Sequence, residues 1–155
     1  MHNLRTFLTL FLITLLFSCS SDDGTTTMTA DLSAVVGTYN LTEVNVSIPQ
    51  DPNEDGTSST NMVEELPCLA GVLNIGADSK WDLTLTGLNI TPVTGDFYAV
   101  QCENSFSYSG SFIFQNNQLV LNNINFDTFS LNGTVLTENK GEDLPGVLSY
   151  VYTKQ

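Results

Sequence analysis

The chain has 155 residues, and its 17 acidic against 4 basic side chains give a formal net charge of −13 at pH 7. This balance argues against nucleic-acid binding, because a phosphate backbone is bound by clustered Lys and Arg side chains. Hydrophobic residues make up 41% of the sequence, and a chain of this length supports one domain with a buried core.

The N-terminal segment has the features of an export signal. Residues 4–17 are mostly Leu, Phe, Ile and Thr, and Arg5 supplies a positive charge near the start. A helix over these residues would rise about 21 Å, which falls short of the roughly 30 Å of hydrocarbon in a bilayer. The sequence therefore predicts a cleaved signal peptide over residues 1–18 rather than a membrane span.

Cys19 ends this segment, with apolar Leu16 three positions before it and small Ser18 directly before it. The pattern resembles the lipobox of bacterial lipoproteins. The resemblance implies a diacylglycerol thioether on Cys19, cleavage just before it and acylation of the new amino terminus. A lipid anchor of this kind attaches a protein to a membrane without a spanning helix. The alternative is an ordinary secretory signal with an incidental cysteine.

The residues after Cys19 refine the predicted location. Residues 20–23, Ser-Ser-Asp-Asp, resemble the export signal with which Bacteroidetes send lipoproteins to the outer face of the outer membrane. We therefore expect an outer membrane lipoprotein exposed at the cell surface, with a periplasm-facing orientation as the alternative. Residues 19–33 have little apolar content and are expected to form a flexible acidic tether. The folded domain is predicted over residues 34–155.

Cleavage after residue 18 would remove His2 and Arg5, the single histidine and the single arginine of the chain. The mature chain then cannot build a Ser-His or Cys-His nucleophile, and a zinc site loses its commonest neutral ligand. A carboxylate pair of the glycosidase type stays chemically feasible, but the acids are spread along the chain without a recognisable pair. We expect no enzymatic activity and no cofactor, with calcium as the one candidate.

The first strand is predicted over residues 39–48. Val44, Val46 and Ile48 share one face, because side chains two apart in a strand point the same way. The apolar positions change parity near Thr42 and Glu43. A β-bulge at that point would restore the register.

A long polar insertion follows over residues 49–67, bounded by Pro49 and Pro67. Its length and composition predict a loop without regular structure, mobile at its tip.

Within this insertion the sequence matches the start of a calcium loop. Asp51, Asn53 and Asp55 would present alternate oxygens to the ion, and Gly56 would permit the sharp turn. The twelfth position of such a loop is a bidentate glutamate, but here it is Met62. An acidic surface turn is the alternative to a calcium site.

If Cys19 carries lipid, Cys68 and Cys102 remain as an even pair in an oxidising compartment, which favours a disulfide. Closing a loop of roughly 35 residues would contribute about 3 to 4 kcal/mol on the chain-entropy estimate. Two buried free thiols are the alternative. Neither cysteine lies in a Cys-x-x-Cys motif, so redox and metal roles have little support.

The rest of the chain alternates between apolar and polar residues with the period of a β-strand, and it shows no sustained helical periodicity. Short strands joined by Asn- and Gly-containing turns predict an all-β antiparallel meander, which becomes a barrel or a β-sandwich when it buries its apolar face. The predicted strands include Trp81 to Leu85, Phe106 to Phe114, Leu119 to Leu121, Phe129 to Leu131, Val135 to Leu136 and Val147 to Tyr152, with turns at Asn116 and Asn117 and at Asn132 and Gly133.

A family resemblance adds to this interpretation. Residues 35–43, Val-Val-Gly-Thr-Tyr-Asn-Leu-Thr-Glu, resemble the Gly-x-aromatic first strand of the lipocalin-like domains common in flavobacterial lipoproteins. Those domains also carry a cysteine ahead of an apolar strand and a polar turn before an aromatic residue, as Cys68 and residues 77–81 do here. The resemblance covers most of residues 35–155. It implies a lipocalin-like up-and-down barrel.

Such a barrel would hold a small hydrophobic or amphiphilic ligand between its inward-facing side chains. Aromatic residues at this period pack in a filled core more often than they line a cavity. The alternative function is therefore a structural or interaction module that meets another envelope protein or a glycan; any protein partner is unknown. The candidate ligand-binding residues are Tyr39, Leu41, Trp81, Leu83, Phe106, Tyr108, Phe112 and Phe114.

Overall fold

The computed structural model describes residues 31–122, 128–141 and 144–155. The predicted signal peptide, Cys19 and most of the predicted tether lie outside these residues. Within the described part of the chain, none of the helices has the length and apolar character needed to cross a bilayer.

The described residues form nine strands, one short helix and one 3₁₀ turn. The 3₁₀ turn Leu32–Ala34 precedes the first strand, and the helix α1 follows the second. The strands are β1 Gly37–Gln50, β2 Ser59–Asn61, β3 Gly71–Ile75, β4 Lys80–Thr94, β5 Phe97–Gln115, β6 Gln118–Leu121, β7 Phe129–Asn132, β8 Val135–Asn139 and β9 Ser149–Lys154, and α1 is Met62–Glu65.

The strands form an antiparallel sheet that closes into an eight-stranded barrel. From β3 to β9 each strand pairs with the next along the chain, β1 pairs with β3, and β1 also pairs with β9. In that closing contact Tyr39 lies opposite Lys154 and Leu41 opposite Tyr152. The ninth strand, β2, lies outside the ring against the second half of β1. The predicted all-β meander and barrel are confirmed, and the sandwich alternative is wrong, because one continuous sheet closes on itself.

The predicted bulge in β1 is confirmed. Tyr39 and Leu41 are buried, Thr42 and Glu43 are exposed, and burial resumes at Val44. The pairing of β1 with β9 shifts register between Leu41 and Glu43. The extra residue keeps both halves of this long strand facing the core.

Two predicted turns form where expected. Asn116 and Asn117 join β5 to β6 with φ values of 52° and 59°, and asparagine tolerates this left-handed region better than most residues. Gly133 has a φ of 61° between β7 and β8. The last strand, by contrast, begins at Ser149 and not at the predicted Val147.

The predicted polar insertion over residues 49–67 is more ordered than the sequence indicated. It contains the end of β1, all of β2 and helix α1. Asn61 caps the helix, because its Oδ1 accepts hydrogen bonds from the backbone N–H groups of Val63 and Val44, both at 3.1 Å. Met62 and Leu66 are buried in the core. These two apolar side chains attach the segment to the barrel. The largely polar composition of the insertion did not indicate that they would be buried.

The barrel centre is filled with side chains. Tyr39, Phe129 and Tyr152 are fully buried there, and the rings of Phe129 and Tyr152 meet edge to face with their centroids 6.0 Å apart. Polar atoms of buried aromatics have partners: the Tyr39 hydroxyl donates to the Val35 carbonyl at 2.8 Å, and Trp81 Nε1 donates to the Ser111 carbonyl at 2.9 Å. Such satisfied contacts make a rigid core.

Candidate functional site

The eight candidate ligand-binding residues fall into two groups. Six of them lie in the packed core and expose 8% of their surface or less: Tyr39, Leu41, Trp81, Leu83, Phe112 and Phe114. Their side chains fill the barrel interior together with those of β6 to β9. The other two, Phe106 and Tyr108, are partly exposed.

Phe106 and Tyr108 lie on the inward-facing row of β5. Tyr108 is opposite buried Leu83 and Phe106 is opposite buried Leu85, yet Phe106 exposes 37% and Tyr108 exposes 40% of its surface. Their rings contact each other with centroids 5.3 Å apart. We call this pair the aromatic opening, because it brings apolar surface continuous with the core into contact with solvent.

The described strand pairing differs between the two parts of β5. Residues 97–111 of β5 pair with β4, whereas the pairing with β6 covers residues 112–115. Among the described residues, the aromatic opening therefore lies where β5 pairs with β4 and outside the four positions that pair with β6. Gly87 on β4 gives Phe106 room, since a Cβ at that position would lie 3.2 Å from Phe106 Cε1.

A solvent-open groove of about 580 Å³ runs beside the aromatic opening. It is lined by the β5 residues Cys102, Glu103, Asn104, Ser105 and Phe106. Glu103, Asn104 and Ser105 make this lining mostly polar, and Phe106 is its large apolar member. The groove thus places polar side chains directly beside the exposed rings of Phe106 and Tyr108.

The predicted disulfide is confirmed. Cys68 and Cys102 are bonded, with their Cα atoms 6.3 Å apart. The bond joins the segment after α1 to β5, next to the groove. Leu66 and Leu69 in that segment are buried against the core, so the disulfide holds an apolar cap over this end of the barrel.

Gln50 fastens the β4–β5 hairpin to the same end of the barrel. Its Oε1 accepts a hydrogen bond from the Tyr98 backbone N–H at 3.2 Å. Its Nε2 donates to the Asp96 carbonyl at 3.3 Å. Gln50 exposes only 5% of its surface. Its side-chain amide satisfies backbone groups of the hairpin that would otherwise need a neighbouring strand as their hydrogen-bond partner. Nothing in the polar sequence around it marked Gln50 for this role.

A charged pair lies inside the barrel wall. Glu138 exposes 2% of its surface, and its Oε1 is 2.5 Å from Lys140 Nζ. Tyr150 lies opposite Glu138 on β9; burial raises the pKa of Tyr150, the Glu138 carboxylate raises it further, and Lys140 opposes the shift. Burial likewise raises the pKa of Tyr152. Glu138 lies two positions after buried Leu136 on the same strand. This spacing in the sequence could have predicted that its side chain points inward.

In the structure, oxygens of the three candidate calcium ligands accept hydrogen bonds from backbone N–H groups. Asp51 Oδ1 and Oδ2 accept hydrogen bonds from the N–H groups of Asp55 and Gly56 at 3.1 and 3.0 Å. Asn53 Oδ1 accepts from Asp55 at 2.9 Å. Across residues 31–122, 128–141 and 144–155 no three His, Cys, Asp or Glu side chains are grouped to hold a metal ion. These contacts are those of an exposed acidic turn, and calcium binding by Asp51, Asn53 and Asp55 stays a prediction from the sequence.

Glu65 is a buried acid that sequence reasoning missed. It exposes 3% of its surface, and its Oε2 has no hydrogen-bond partner among the described residues. Burial is the main cause that raises the pKa of this carboxyl, and the negative charges of Asp55, Asp51 and Glu64 raise it further, while the Ser59 backbone N–H opposes them. The helical position of Glu65 beside Met62 and Leu66 decides its burial.

Comparisons of the chain with protein-family models, curated proteins and solved structures found no match. Function must therefore be inferred from the geometry and chemistry of the site. Cys19 lies outside the described residues, so its lipidation stays a prediction from the sequence pattern.

Proposed function

We propose that the protein is a membrane-anchored cell-envelope lipoprotein, without enzymatic activity, that binds a small hydrophobic or amphiphilic ligand at the aromatic opening. One observation carries the proposal: two aromatic rings on the inward row of a barrel strand each expose more than a third of their surface. Burying an aromatic side chain contributes about 1.5 to 3 kcal/mol. A ligand that covers Phe106 and Tyr108 would gain part of that free energy.

The surroundings restrict the ligand further. The barrel centre is occupied by core side chains, so the ligand would rest at the opening and not along the barrel axis. Glu103, Asn104 and Ser105 line the adjoining groove and would receive a polar head group. A neutral or cationic head group fits best, because Glu103 and the chain's net charge of −13 repel anions.

The anchor rests on the lipobox resemblance at Cys19. Each buried methylene of an acyl chain contributes about 0.8 kcal/mol, so several chains hold a protein firmly on a bilayer. The acidic residues after Cys19 support export to the cell surface over a periplasm-facing position. A ligand-binding domain at the end of a tether would sample molecules outside the membrane.

Titration with the neutral apolar probe N-phenyl-1-naphthylamine tests the ligand proposal. Replacing both aromatics in the variant Phe106→Ser/Tyr108→Ser should weaken binding at least about tenfold, because it removes the apolar contact surface. The matched control is Ile113→Ser, which removes an outward-facing side chain of the same strand that exposes 53% of its surface. The control should leave probe affinity unchanged. Equal losses in both variants would contradict the proposed site.

A second function is favoured by a different observation, the filled centre of the barrel. A barrel whose described centre is occupied by core side chains suits a structural or interaction module whose exterior meets another envelope protein or a glycan. This module would give no probe fluorescence with the unsubstituted protein. The titration therefore distinguishes the two functions.

A further inference from the structure

A polar groove lies on the outer face of the barrel, at the end where β1 begins. It has a volume of about 720 Å³ and opens to solvent, which is within the range of small-molecule sites. Four strands cross it, and the side chains in register are Thr38, Asn74, Asp82 and Ser109. These positions alternate with inward-facing core residues, so the groove is separate from the aromatic opening.

The polar side chains of the groove are held in place by one another. Thr38 Oγ1 donates to Asn74 Oδ1 at 2.8 Å, and Asn74 Nδ2 donates to Asp82 Oδ2 at 2.8 Å. A row of hydroxyl, amide and carboxylate groups therefore runs across β1, β3 and β4, with the exposed Ser109 hydroxyl next on β5. Because the row is already ordered, a ligand would lose little side-chain entropy on binding.

Two glycines lie at the border of the groove. Gly76 and Gly110 both line it. Gly110 lies on the inward-facing row of β5, where a Cβ would lie 2.4 Å from the Asn122 carbonyl oxygen and 3.0 Å from Trp81 Nε1, so only glycine lets β5 pack this closely against the indole. The indole of Trp81, held by its hydrogen bond to the Ser111 carbonyl, forms a rigid wall behind this position.

The chemistry of the groove matches a ligand that both donates and accepts many hydrogen bonds. Asp82 and Asp78 accept, Lys80 donates, and the amide and hydroxyl groups do both. Adjacent hydroxyls of a sugar ring present the same alternation of donors and acceptors. Lys80 lines the groove and Lys154 lies beside Gly37 at its edge, so the two lysines offset the charges of Asp78 and Asp82. Anionic sugars are disfavoured by the strongly acidic chain as a whole.

We propose that this polar groove binds a neutral oligosaccharide, with Asn74 and Asp82 as its central contacts. The site is independent of the aromatic opening, and either can exist without the other. A lipoprotein with both would hold an apolar molecule at the inward-facing row of β5 and a saccharide on the outward-facing row of the same strand.

The test is a titration of the ¹⁵N-labelled mature domain followed by amide chemical shifts. The probes are maltohexaose, cellohexaose, laminarihexaose and xylohexaose, with trigalacturonate as an anionic comparison. The expected result is a saturable shift at Asn74, Asp82 and Ser109 with at least one neutral probe and none with trigalacturonate. Asp82→Ala should weaken that binding at least about tenfold by removing a charge-assisted hydrogen bond, and Ser109→Trp should block the groove.

Thr86→Ala is the matched control. Thr86 lies on the same strand and the same outward face as Asp82 and pairs with Ser105 outside the groove. Its substitution should leave saccharide affinity unchanged. The proposal is overturned if none of the four neutral probes binds, if trigalacturonate binds better than they do, or if Thr86→Ala weakens binding as much as Asp82→Ala. Shifts confined to Phe106 and Tyr108 would also overturn it.

Discussion

Glu65 combines deep burial with a carboxylate oxygen that lacks a hydrogen-bond partner among the described residues. A buried acid of this kind favours its neutral form, which is why its pKa is raised. The folded state then binds the proton more tightly than the unfolded state. The stabilising contribution is present below the ordinary carboxyl pKa and is lost as the pH rises through the raised value.

We therefore predict that Glu65→Gln increases stability at pH 7 and reduces the loss of stability between mildly acidic and neutral pH. The amide keeps the oxygen that accepts from the Ser59 backbone and removes the buried charge. Urea unfolding at several pH values measures the effect as a shift of the midpoint. Glu54→Gln, which removes an exposed charge from the same insertion, is the control. A lower midpoint for Glu65→Gln at pH 7 would show that the carboxylate has a stabilising partner.

At the residue scale, the sequence predicted burial correctly where the alternation of side chains along a strand determines which of them face the core. Tyr39, Trp81, Leu83, Phe112 and Phe114 occupy the buried face that their period indicates. It failed for polar residues whose burial depends on distant parts of the chain. Glu65 and Gln50 are buried by elements packed around them. The sequence pattern near each residue does not predict those tertiary contacts.

At the scale of elements, the segment from α1 to β3 is fixed to the barrel by one covalent bond and a few apolar side chains. The Cys68–Cys102 bond spans 34 positions of sequence. Leu66 and Leu69 on the same segment are buried. The segment covers one end of the barrel beside the aromatic opening, so its attachment affects both stability and the shape of the candidate site.

Replacing both cysteines in Cys68→Ala/Cys102→Ala should lower the free energy of unfolding by about 3 to 4 kcal/mol, because the unfolded chain regains its loop entropy. Urea unfolding of the mature domain measures this difference. Adding a reductant should lower the stability of the unsubstituted protein and leave the double variant unchanged. A loss below about 1 kcal/mol would mean that the cap is held by its apolar contacts alone.

Local rules predicted the elements that local residues determine. The parity change at Thr42 and Glu43 gave the bulge in β1, and Asn116, Asn117 and Gly133 gave two turns. β2 and α1 were missed because neither has a repeating pattern of its own. Their order comes from the Asn61 cap and from burial of Met62, which require the finished barrel.

At the scale of the whole molecule, the barrel closes through the pairing of β1 with β9. These strands are separated by most of the domain, so a sequence argument could only leave barrel and sandwich open. Closure brings the two ends of the domain together: the Gln155 backbone N–H donates to the Thr38 carbonyl at 3.0 Å. The described chain thus enters the barrel at the end that carries the polar groove.

The lipid anchor is a prediction at this scale. Cys19→Ser should move the protein from the membrane fraction to the soluble fraction of the envelope, because a serine cannot form the thioether. Ser20→Ala, next to the anchoring residue, should leave the distribution unchanged. Fractionation followed by immunoblotting measures both variants. Membrane attachment of Cys19→Ser would contradict the anchor.

The central claim is that the aromatic opening holds one small apolar molecule on a lipid-anchored barrel. Native mass spectrometry of the protein extracted from its own envelope tests it most directly. We predict two added masses: a lipid that stays on the chain after denaturation, and one non-covalent molecule that is released by it. The variant Phe106→Ser/Tyr108→Ser should keep the first mass and lose the second. Absence of any non-covalent mass, or its retention by that variant, would contradict the account.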